Sequence, residues 1–236
     1  MAALNIVVPA THLIRNLRSP IAWLLFFFAA VFPALAIEEP PLRITQHVVT
    51  ANEGRLPSGR PTHLMKLTLA VMKATNWDVA GALSAAQDAT AILNQCGIRT
   101  DEIETNEFEG PARFRSVFTP VSRELAKRLV LPKPTLFFVA DTLNRPAFDA
   151  EAVGRANSRT RPEMADTVWI AYGARDLAVV IAHELAHVLA DSGEHSAEPH
   201  NLMREETGPG DTHLTAEQCA AIKRTGSANG LLHPLK

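Results

Sequence analysis

The chain has 236 residues, 47% of them apolar and 20% charged, a composition that fits one large or two small globular domains and excludes wholesale disorder. Lys and Arg number 23 against 25 Asp and Glu, so a basic footprint for DNA or RNA is absent. Aromatics are only 6%, with Tyr172 the single tyrosine, which argues against a stacking platform for single-stranded nucleic acid.

The chain opens with a targeting pattern. Residues 1–36 contain no acid, Arg15 and Arg18 precede the apolar run 21–32, and Ala34-Leu35-Ala36 follows Pro33. A positive flank, an apolar run and a small–x–small site describe a secretory signal peptide. The run falls short of the roughly 20 apolar residues of a spanning helix, so no stable membrane insertion is expected after cleavage. Residues 1–36 are therefore expected to be removed and residues 37–236 to form one domain, secreted or periplasmic. In such a compartment the two cysteines, Cys96 and Cys219, are expected to pair. Two buried free thiols are the alternative.

Residues 42–49 are β-rich and read as a first strand, and 54–62 as a loop; 63–75 is apolar and ambiguous between strand and short helix. From 79 to 96 the positions Val79, Leu83, Ala86, Ala89, Ile92, Leu93 and Cys96 fall at helical spacing, with Asp78 as N-cap and Gly97 as the stop. Strands are expected at 98–103, 134–141 and 167–172, with a helical piece near 120–130. The Arg-, Pro-, Asn- and Gly-rich stretch 142–166 reads as an exposed loop bordering a cleft. A helix is expected over 174–190. Beyond it the sequence predicts a mostly irregular tail with a short helix from Thr215, where Thr215 and Gln218 suit a capping box. The class is α+β.

The chemistry lies in His183-Glu184-Leu185-Ala186-His187 on that last long helix. Residues four apart share one helix face, so both imidazoles can reach one Zn²⁺. Glu184, about 100° further round, sits at the edge of that face, where its carboxylate reaches a water without becoming a ligand. This is the H-E-x-x-H pattern of zinc hydrolases. A catalytic zinc takes three protein ligands and keeps an open position. Asp191, eight residues past His183, lies about 12 Å along the axis and is too far away. The chain must turn back. Gly193 is expected to take the left-handed conformation that ends the helix, and His195 to arrive as third ligand. Glu194 and His200 are its nearest rivals, and a downstream glutamate (Glu205, Glu206 or Glu217) is a further model.

His183-Glu-x-x-His187, a histidine soon after a glycine turn, and Asn201-Leu202-Met203 together resemble the metzincin zinc peptidases. The resemblance implies a zincin-like, twisted mixed β-sheet with an active-site helix and a small, mostly irregular C-terminal subdomain. It also implies that Met203 is the Met-turn residue, an apolar floor beneath the histidines. Specific matches cover only residues 183–203. The step from His187 to His195 is eight where metzincins have six, Ala190 stands at their glycine position, and no tyrosine follows Met203.

The resulting expectation is a secreted zinc-dependent peptidase acting on protein or peptide substrates. Glu184 is the general base towards a zinc-activated water, and His183, His187 and His195 are the ligands. A secreted non-catalytic zinc-binding or interaction domain on the same fold is the alternative.

Overall fold

The computed structural model describes residues 39–52, 60–117, 119–142, 152–155 and 161–236. The expected signal peptide and most of the 54–62 loop lie outside the described residues. Residues 38–236 form one compact unit.

Its centre is a six-stranded mixed sheet. In chain order the strands are β1 (Arg43–Ala51), β2 (His63–Met65), β3 (Leu67–Met72), β4 (Ile98–Arg99), β5 (Glu102–Glu109), β6 (Ser116–Val117), β7 (Thr135–Val139), β8 (Asp141–Thr142), β9 (Ala152–Arg155), β10 (Thr167–Ala171) and β11 (Leu232–Pro234). The main sheet runs β1-β5-β3-β7-β10-β9. Its four middle strands are parallel, and β1 and β9 are antiparallel edges. All residues of β3 and β7 are buried, as expected of parallel strands covered on both faces.

Side chains alternate between two cores. Leu67, Leu69, Val71, Leu136, Phe138, Val168 and Ile170 enter one of them. There they meet helix α1 (Val79–Leu93), helix α3 (Leu177–Ala190) and helix α4 (Ala216–Ala228). Ala70, Met72, Phe137, Val139 and Trp169 enter the other, against helix α2 (Thr119–Leu129) and Phe114. The histidine-bearing helix α3 is thus fixed against the sheet through Val179, Ile181, Ala182, Leu185, Ala186, Val188 and Leu189, all buried.

Asp78 caps α1 by accepting from the Ala80 and Gly81 N–H groups, and Gly97 is left-handed after the helix. The 63–75 stretch resolves into β2 and β3. The single strand expected at 98–103 is two, β4 and β5. Between them the Asn52 N–H bonds the Asp101 carbonyl and the Asn52 side chain donates to the Thr100 carbonyl, which takes this segment out of the ladder. Within 142–166, much of which lies outside the described residues, β9 is an edge strand in register with β10, not loop. Four residues reading Ala-Val-Gly-Arg carry too little alternation to announce a strand. The last long helix starts at Leu177 rather than 174, because Asp176 is left-handed (φ 49°) just before it.

Past α3 no helix or strand forms until α4, apart from a bridge between Asn201 and His213. Then β11 pairs with β2. Cys96 and Cys219 form a disulfide that ties the end of α1 to α4 across 123 residues of sequence. Among the described residues no helix is long and apolar enough to cross a membrane.

Candidate metal centre

Helix α3 presents His183 and His187 four residues apart, one turn above the other. His183 is only 7% exposed and His187 is half-buried. Each ring is held by a backbone carbonyl. His183 Nδ1 lies 2.7 Å from the Leu202 carbonyl oxygen, and His187 Nδ1 lies 2.7 Å from that of Ser192. A carbonyl can only accept, so each Nδ1 carries the proton, and each neutral ring turns a bare Nε2 lone pair to the other side.

Those lone pairs face one another. His183 Nε2 and His187 Nε2 are 2.9 Å apart, and His187 Nε2 and His195 Nε2 are 3.2 Å apart. The ligand nitrogens of all three lie within 4.8 Å of one another. Two acceptor lone pairs at that distance repel unless a cation lies between them. Ligands about 2.0–2.1 Å from a tetrahedral zinc are themselves about 3.3 Å apart, so three imidazoles in this arrangement fit such an ion. Burial pushes the pKa of both helix histidines down, and the neighbouring imidazoles push the same way; His187 falls to about 4. At neutral pH both are therefore in the neutral form that ligates a metal.

His195 reaches the cluster by a chain reversal with its own internal bonds. Asp191 ends α3 in the left-handed conformation (φ 49°), its N–H turned to the His187 and Val188 carbonyls, and the Ser192 N–H bonds the His187 carbonyl at 3.2 Å. The left-handed stop is thus Asp191 and not Gly193, which does not have a positive φ. A short polar side chain tolerates that conformation, so the helix ends before the glycine is reached. The Ser192 carbonyl freed by this turn is the one that holds His187. Next to His195, the Ser196 N–H bonds the Met203 carbonyl at 2.7 Å.

Met203 is buried, and with His187 and His195 it lines a cavity of about 340 Å³ that also runs along α4. Glu194 lines the same cavity. Glu184 follows His183 on the helix and is half-buried. His200, Glu205, Glu206 and Glu217 are exposed, and among the described residues no carboxylate joins the three-histidine group.

Neither a protein-family model nor a curated protein matches this sequence. Among solved structures the chain is similar to metalloproteinase-II from Bacteroides fragilis, at 15% identity and a TM-score of 0.45 over 72% of this chain. It spans 55% of the length of that protein.

The partners that orient the rings were not legible in the sequence. The carbonyls of Leu202 and Ser192 are backbone atoms, for which no residue type speaks. The Asn201 side chain, fully buried, is paired with Gln218 across 17 residues. Only the capping box at Thr215 hinted that Gln218 had work to do.

Proposed function

We propose that the chain is an exported zinc-dependent peptidase, with His183, His187 and His195 as ligands and Glu184 as general base. The observation that carries this reading is the pair of carbonyl-fixed helix histidines whose bare Nε2 atoms converge with that of His195. A zinc ion held there supplies Lewis acidity towards the scissile carbonyl and acidifies a water it binds. The protein's own part is positioning and proton transfer. Leu202 and Ser192 fix the tautomers of His183 and His187, so the lone pairs need no reorganisation. Glu184, beside His183 on the helix, takes the proton of the attacking water and returns it to the leaving amine. Met203 supplies an apolar floor, as the resemblance to metzincins implies.

Export is supported by the signal-peptide pattern of 1–36 and by the Cys96–Cys219 disulfide, which an oxidising compartment favours. A protein or peptide is the substrate such a centre would cleave.

The test is cleavage of casein by the purified secreted protein, with and without a chelator. Chelator-sensitive cleavage is expected, restored by zinc. Glu184→Ala should keep the metal and lose about 10²–10⁴-fold in rate. Undiminished cleavage by zinc-loaded Glu184→Ala removes the role given to that residue. Zinc binding without hydrolysis of casein or of a peptide library favours the non-catalytic domain instead.

A further inference from the structure

Two Gln-Cys dipeptides, Gln95-Cys96 and Gln218-Cys219, are joined by the one disulfide. Resting on the metal centre proposed above, we infer that Gln218 and Gln95 are positioning residues: with Asn201 they brace the turn whose Leu202 carbonyl orients His183.

The brace can be followed bond by bond. Segment 201–203 touches both histidine-bearing pieces of chain, α3 and the segment that carries His195. The Leu202 carbonyl takes His183 Nδ1–H, and the Met203 carbonyl takes the N–H of Ser196, next to His195. What fixes this segment is the Asn201 side chain. Its Oδ1 accepts from the Met203 N–H at 2.9 Å and from Gln218 Nε2 at 3.1 Å, and its Nδ2 donates to Gln218 Oε1 at 3.0 Å. Gln218 Oε1 also accepts the Thr215 N–H at 2.8 Å, as N3 of the α4 capping box. One carboxamide therefore closes the helix cap and locks Asn201.

Gln95 holds the other side. It donates to the Thr212 carbonyl at 2.7 Å and accepts the Leu214 N–H at 2.9 Å. The residue between them, His213, bonds the turn in both directions: its carbonyl accepts the Leu202 N–H at 2.6 Å and its N–H bonds the His200 carbonyl. The two glutamines thus act on the turn by separate routes, Gln218 through the Asn201 side chain and Gln95 through the 212–214 backbone, and the disulfide joins the residues next to them.

The chemistry singles out a diagnostic substitution. In Gln218→Glu one carboxylate oxygen still accepts from Thr215 and from Asn201 Nδ2, so the cap of α4 survives. The other oxygen faces Asn201 Oδ1, acceptor against acceptor. Flipping the Asn201 amide does not help, because it would turn Nδ2 towards the Met203 N–H. The cost therefore falls on the turn under His183.

The experiment is zinc affinity by competition with a chromophoric chelator, alongside the melting temperature of the zinc-free protein. It is run on the unsubstituted protein, Gln218→Glu and Gln95→Ala. Gln218→Glu is expected to raise the zinc dissociation constant about tenfold, as outer-shell losses do. Its zinc-free melting temperature should fall by only about 2–4 °C per kcal/mol lost with the Gln218 Nε2 bond to Asn201, leaving the protein folded at the temperature of the titration. Gln95→Ala, on an exposed side chain, should weaken zinc in the same direction and so gives the answer if Gln218→Glu does not fold. Unchanged affinity in Gln218→Glu and Gln95→Ala overturns the brace alone. Failure of the unsubstituted protein to bind zinc overturns the proposed function, and the brace with it.

Discussion

Two of the three histidines and the third are delivered by opposite means. His183 and His187 stand on a helix sealed against the sheet, and each ring is bonded to a carbonyl. His195 is exposed, on a segment without helix or strand, and its neighbour Ser196 is tied to Met203. In the proposed centre the helix would supply two ligands on one side of the ion, and closing the other side needs the chain reversal. The difference teaches that the centre is half preorganised by the core and half by a few hydrogen bonds in the tail.

Substitutions at the two kinds of position separate these halves. His187→Ala is expected to abolish zinc binding and turnover, by more than the 10–100-fold typical of an outer-shell loss. Equilibrium dialysis checks it, and retained stoichiometric zinc would show the ligand set to be wrong. The metal-free proteins should diverge next. His183→Ala leaves the Leu202 carbonyl buried without its donor, a loss of about 1–3 kcal/mol in a urea titration. His195→Ala, on an exposed ring, should change stability by no more than about 0.5 kcal/mol. Equal effects would erase the contrast between helix and loop.

Acid sharpens the same comparison. Burial holds the His183 and His187 pKa values below the ordinary 6.5, His187 at about 4. In the folded zinc-free protein these rings take up protons later than in the unfolded chain. Their full contribution to stability is present above about pH 6.5 and is lost progressively as pH falls towards 4. In His187→Ala the part of that slope due to His187 should vanish from the melting temperature plotted against pH. A small effect of the opposite sign is expected at the helix stop. Asp191→Gly removes a side chain from a left-handed residue and should stabilise the protein by about 0.5–1 kcal/mol, read from urea unfolding. A loss of stability would mean that the Asp191 side chain has a role of its own.

The sequence carried the parts of this molecule that repeat or are capped. The buried strands at 135–139 and 167–171, α1 between Asp78 and Gly97, and the capping box of α4 are local patterns, and periodicity and cap chemistry reveal them. The i, i+4 histidines are legible for the same reason. The reversal after α3 is not, because glycine is the stronger signal for a left-handed stop and the chain uses Asp191 two residues earlier. β9 is too short to show a period, and its place is decided by its register with β10. The ring-orienting carbonyls and the Asn201–Gln218 pair depend on contacts between distant segments, which no local pattern encodes.

The most direct test is zinc K-edge absorption spectroscopy on the purified secreted protein, with metal content measured on the same sample. One zinc per chain, with three imidazole nitrogens at about 2.0–2.1 Å in the first shell and one fewer in His195→Ala, is the expected result. No bound zinc, or a first shell unchanged by His195→Ala, would contradict the account.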